Sequence, residues 1–153
     1  MKNLGIYIHI PFCKKKCEYC DFISFSGIEE KQEQYVEALI LDIKNSALQV
    51  KDYMIDTIYF GGGTPSYIES LFIAQILDTI KQNYKLKENA EITIEVNPGT
   101  VNKEKLLSYK KAGINRLSIG LQSTHDRLLK LIGRIHNYEE FGNTYELARK
   151  VRI

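Results

Sequence analysis

YIHIPFCKKKCEYCDF, Tyr7 to Phe22, runs from an apolar strand pattern straight into a loop of thiols. Gly5 to Ile10 (GIYIHI) is β-branched and aromatic, which predicts a strand. Cys13, Cys17 and Cys20 follow, and they are the only cysteines in the chain. An odd number of thiols packed this tightly is not a disulfide framework. In a reducing cytosol such a group reads as a metal site.

Outward from this stretch, strand and helix signals alternate. Val36, Leu39, Ile40, Ile43 and Ala47 recur at helical spacing between Lys31 and Leu48. Asp56 to Phe60 (DTIYF) predicts a second strand, stopped by Gly61, Gly62 and Gly63. Ile68, Phe72, Ile76, Ile80 and Tyr84 mark one stripe of a second helix. Glu91 to Val96 (EITIEV) predicts a third strand, ended by Asn97-Pro98-Gly99. Asn102 and Gly113 suit the N-cap and the C-terminal glycine of a third helix. Arg116 to Leu121 (RLSIGL) predicts a fourth strand. Ser123 or Thr124 then caps a helix through Leu128, Leu129 and Ile132, and Asn137 with Glu140 opens a last one with a capping box. Strands that each lead into a helix imply parallel βαβ units with right-handed crossovers. The predicted fold is therefore α/β, a partial (βα)n barrel of about four units, too few to close the usual eight-stranded one.

Composition narrows the setting. The chain has 153 residues, 44% apolar and 26% charged, with a net charge of +2. This is ordinary globular composition, and it gives no reason to expect nucleic acid or an anionic membrane as a partner. No apolar run is long enough to span a bilayer, and the start of the chain is too interrupted for a signal peptide. A cytoplasmic location is expected.

The spacing Cys13-x3-Cys17-x2-Cys20 can place three thiolates around one cubane. Iron–sulfur clusters normally have four. Three leave one iron open to a small chelate, here the amino and carboxylate groups of S-adenosylmethionine. The competing reading is a Cys3His zinc site with His9, four residues before Cys13. On cysteine spacing alone the two readings stand level.

The wider chain separates them. Tyr7 to Phe22 resembles the radical S-adenosylmethionine (radical SAM) proteins related to oxygen-independent coproporphyrinogen III oxidase. So do FGGGTPS from Phe60, IEVNPGT from Ile94, and RLSIGLQS with LIGRIHN between Arg116 and Asn137. The resemblance implies a [4Fe–4S] cluster on Cys13, Cys17 and Cys20 and a bound S-adenosylmethionine. It places Tyr7 and Tyr19 near that cofactor, where simple strand or shielding aromatics are the plainer alternative. It sets Gly62, Gly63 and Thr64 against the methionine moiety; three glycines exceed what a tight turn needs. It makes Glu95, Gln122 and Arg134 cofactor contacts, Arg134 to the carboxylate. Without it, Glu95 would have a buried structural partner and Arg134 would be a solvated surface residue. Independently of the family, the cysteine loop, the glycines, Glu95 and Gln122 fall at the C-terminal ends of successive strands, where parallel sheets bind ligands.

Within the family, dehydrogenases carry a fourth cysteine two positions after the third, where this chain has Phe22. They also carry an extension before the first strand, which here begins within the first few residues. Both departures favour the HemW-type haem chaperones over the coproporphyrinogen dehydrogenases of haem synthesis. Reductive cleavage of S-adenosylmethionine is expected in either case, whereas net substrate turnover is not implied for the chaperones. Residues 1–153 then form the N-terminal part of a radical SAM core domain. Further βα units, a C-terminal domain and the determinants for haem or a porphyrinogen are expected beyond it. The expected reductant is a flavodoxin or ferredoxin. Lys14, Lys15 and Lys16 are most simply solvated, with docking of such an acidic donor as the sharper alternative.

Overall fold

The structure, a computed structural model, describes residues 2–153. It contains one all-parallel sheet in the order β1-β2-β3-β4. The strands are β1 Lys2–Ile10, β2 Tyr53–Gly62, β3 Leu86–Val96 and β4 Arg116–Ile119. Parallel neighbours cannot be joined by a tight turn, so helices cross between them. These are α1 Gln32–Ala47, α2 Ser70–Asn83 and α3 Lys103–Ala112, followed after β4 by α4 Asp126–Leu131 and α5 Tyr138–Val151. The α/β class and the four parallel βα units are those the sequence implies.

Sequential strand order with right-handed crossovers keeps the crossover helices on one face. In agreement, α1 neighbours α2, α2 neighbours α3, and α3 neighbours α5. Ile8, Ile10, Ile58, Phe60, Ile92, Ile94 and Val96 are buried. They alternate along their strands and pair laterally, Ile8 with Phe60 and Phe60 with Ile94, so they form one apolar layer. That layer shares a core with Ile73, Ile76, Leu77 and Ile80 of α2 and Leu106 and Tyr109 of α3. Burying each such side chain is worth about 1.5–3 kcal/mol. The intervening residues, including Tyr7, Tyr59, Glu95 and Ser118, stand on the opposite face. This is the arrangement of a barrel wall. Among the described residues, no helix is long and apolar enough to cross a membrane.

Several boundaries differ from expectation. β2 does not stop before the glycines: His9 and Ile10 pair with Gly61 and Gly62 and carry the ladder through them. β4 ends at Ile119 rather than Leu121, because the Leu121 amide turns back to the Ile119 carbonyl (3.1 Å). Ile68 and Tyr84 flank α2 instead of lying within it, since the Pro65–Tyr67 3-10 turn and an extended Ile68 precede the helix. Neither Ser123 nor Thr124 caps α4. Its N-cap is His125, without a side-chain bond, and Ser123 Oγ instead accepts from the His125 amide (3.1 Å). The other caps form as read. Asn102 accepts from the Lys105 amide, Gly113 takes a left-handed φ of 105°, and Asn137 and Glu140 close a capping box.

Candidate functional site

The cysteine loop is tied to the sheet at both ends. The Cys13 amide donates to the Phe25 carbonyl (2.9 Å) and the Phe25 amide to Pro11 (2.7 Å). The Glu18 amide reaches the Ile132 carbonyl after α4 (3.1 Å). The β2 turn closes against the same loop: the Gly63 amide donates to Ile10 (2.9 Å), and the Thr64 amide to Phe12 (2.8 Å). Thr64 Oγ1 donates to Cys13 Sγ (3.5 Å). A Cβ on Gly63 would lie 3.0 Å from Cys13 Sγ and 2.9 Å from the Phe12 carbonyl oxygen. This position requires glycine because the first thiol and the turn touch backbone to backbone.

His9 does not face a metal. Its Nε2 donates to the Ile23 carbonyl (2.8 Å) and its Nδ1 accepts from the Tyr7 hydroxyl (3.2 Å). Both ring nitrogens are thus engaged within the protein, leaving none for Cys3His ligation. Among the described residues no three His, Cys, Asp or Glu side chains gather closely enough for a single metal ion.

The three thiols border a hollow of about 310 Å³ at the C-terminal edge of the sheet. Cys13 is buried, while Cys17 and Cys20 are half-buried. The rest of the wall comes from the other strand ends: Gly62 closing β2 with Gly63 and Thr64 just past it, Glu95 near the end of β3, and Gln122 past β4. Tyr19 and Arg134 complete the rim. Ten of the eleven residues singled out from sequence therefore line one hollow. Tyr7 does not. It is exposed on the barrel-facing side of β1, stacked on Tyr59 with ring centroids 6.2 Å apart. Its ring lies beside Gly61, where a Cβ would meet Tyr7 and Glu95 within 3.3 Å.

Polar partners fix the lining groups. Tyr59 donates to Glu95 Oε1 (2.8 Å). Burial, then that bond to Glu95, raises the Tyr59 pKa. Burial also raises the Tyr19 pKa, against the opposing pull of Arg134. Arg134 Nη2 donates to Asn97 Oδ1 (2.7 Å) and the Gly120 carbonyl (3.0 Å), and Nη1 points at Cys17 Sγ (3.7 Å) and the Tyr19 hydroxyl (3.5 Å). Its Nε is buried without a partner among the described residues. Asn97, Ser118 and Gly120 also line the hollow, and sequence reading missed them. Asn97 reads as a strand stop, yet its place one residue past β3 is itself the signal, since that edge binds ligands.

Three soft sulfur ligands, a fixed guanidinium, a carboxyl group and an amide around an open volume suit an iron–sulfur cluster with a zwitterionic chelate beside it. The unpartnered Arg134 Nε fits such an occupant.

Residues 7–153 match the model of the Radical SAM superfamily. Heme chaperone HemW of Escherichia coli (strain K12) is 41% identical over 146 residues, covering 95% of this chain and 39% of that protein. HemW of Haemophilus influenzae is 42% identical over 151 residues, with 95% and 39% covered. Among solved structures, coproporphyrinogen III oxidase (HemN) from Escherichia coli, a radical SAM enzyme, superposes with a TM-score of 0.91 at 30% identity. That match covers 98% of this chain and 35% of the oxidase. The chain spans about two fifths of the length of these chaperones.

Proposed function

The chain belongs to the radical SAM superfamily, and from that premise we propose that it carries one [4Fe–4S] cluster on Cys13, Cys17 and Cys20, binds S-adenosylmethionine beside it, and serves in a HemW-type haem chaperone. The observation that carries the reading is the convergence of all three thiols with Gly63, Glu95, Gln122 and Arg134 on one hollow. When bound, the cluster supplies the single electron for reductive cleavage of the sulfonium. Everything else falls to the protein. Arg134 offers a planar, permanently charged donor to a carboxylate. Glu95, held by Tyr59, offers an acceptor to an ammonium group. Gly62, Gly63 and Thr64, which line the hollow, take the methionine moiety. Tyr19 covers the rim and keeps water from the thiolates. Residues 1–153 act as the N-terminal part of the core domain, and a flavodoxin or ferredoxin serves as reductant.

Phe22 supports the chaperone assignment, as do relatives named heme chaperones at about 40% identity. The dehydrogenase reading draws on the 0.91 TM-score to the oxidase. Anaerobic purification tests the shared part: about four iron and four sulfide per chain are expected, and after reduction with dithionite a paramagnetic signal that changes on adding S-adenosylmethionine. A colourless zinc protein would refute it. Haem binding without coproporphyrinogen decarboxylation by the full-length protein separates the two readings.

A further inference from the structure

The corner after β4 is the most strained backbone in the site. Gln122 has a φ of 68°, one of two non-glycine residues with positive φ among those described. The Ser123 amide donates across it to the Leu121 carbonyl (2.9 Å). An i to i+2 bond with a positive central φ is the rare, strained form of γ-turn. Such conformations persist only where the surroundings over-determine them.

The surroundings here are one short segment. Arg134 Nη2 donates to the Gly120 carbonyl (3.0 Å), and His136 Nε2 donates to the Leu121 carbonyl (3.2 Å). His136 is only 4% exposed. A carbonyl only accepts, so the hydrogen sits on Nε2, and Nδ1 is left buried with no partner among the described residues. A buried imidazole with one nitrogen unsatisfied is costly to keep. Its one bond goes to the corner that presents Gln122 to the hollow.

We propose that His136 is a positioning residue: its bond to the Leu121 carbonyl, paired with the Arg134 bond to Gly120, holds Gln122 in its left-handed conformation and so sets S-adenosylmethionine affinity. This rests on the cofactor reading above for its ligand, but not for the clamp itself.

His136→Leu removes the donor, and His136→Gln restores an amide donor at the place of Nε2. In cofactor-free intact protein, the Leu121 and Ser123 amides should exchange hydrogen about tenfold faster in the Leu variant, the scale of one lost buried hydrogen bond. After anaerobic reconstitution, iron and sulfide content should be unchanged, S-adenosylmethionine should bind about tenfold more weakly, and the Gln variant should return to within about threefold of wild type. If the Leu variant does not fold, His136→Asn carries the same expectation, because its amide is one methylene too short to reach the carbonyl. Unchanged exchange and affinity overturn the proposal, as does a Gln variant no better than Leu or Asn. If exchange responds while wild type binds no S-adenosylmethionine, the clamp stands and the cofactor reading falls.

Discussion

Gly63 shows how tightly a single residue can constrain this site. A Cβ there would meet two carbonyl oxygens, of Phe12 and Ile10, and the Cys13 sulfur, all within 3.0 Å. The carbonyls belong to backbone already bonded to the turn, so they cannot move aside cheaply. Gly63→Ala should cost about 1–3 kcal/mol as an overpacking change. It should also displace Cys13, so iron content after reconstitution should drop by more than half while the far-UV spectrum stays wild-type. Full iron loading would show that the turn and the thiol are not coupled. Cys17→Ala should abolish cluster assembly, since two thiolates do not hold a cubane firmly; retained iron and sulfide would contradict the assigned ligands. At this scale the thiols, glycines and Glu95 were legible, because their chemistry is unusual for where they sit. The bond of His9 to Ile23 was not, because it joins a strand to the loop after it and leaves no pattern in spacing.

At the scale of elements, caps were legible where the capping residue bonds its own helix. Asn102 and Asn137 both do so. The start of α4 was misread because Ser123 is spent on the His125 amide in the bend before the helix. Asn102→Ala should therefore cost about 1 kcal/mol in denaturant unfolding. α3 also carries a liability that its sequence does not advertise. Tyr109 is fully buried, and its hydroxyl has no partner among the described residues. Burial, with a smaller push from Glu69, drives its pKa far above the ordinary range for a phenol. Tyr109→Phe keeps the packing and deletes the orphaned hydroxyl, so stability should stay level or rise by up to ~1 kcal/mol. A loss above that, measured by urea unfolding, would mean the hydroxyl has a partner after all.

The whole molecule joins residues distant in sequence at one sheet edge, and this was legible in outline. Strand ends of a parallel sheet converge, so chemistry-bearing residues after β1, β2, β3 and β4 had to meet. The contributions of Gly120 and His136 were not legible, since they depend on the path of the chain after β4. That path has a consequence for global stability. Burial, and then Arg134, lower the His136 pKa, while its bond to Leu121 and the charges of Glu140 and Asp126 pull weakly the other way. Above about pH 6.5 the imidazole is neutral in both folded and unfolded chains. As pH falls through that value, the unfolded chain takes up a proton that the folded chain refuses. Stability is therefore complete above the unfolded pKa and falls below it, by at most about 1.4 kcal/mol per pH unit for one proton. Glu29 also contributes on the acid side, but its pKa is lowered, so its share is lost only under more acidic conditions. Urea unfolding of wild type should thus weaken as pH falls below about 6.5, and His136→Gln, which has no proton to refuse, should flatten that dependence. Parallel slopes in the two proteins would mean that another group, not His136, takes up the proton.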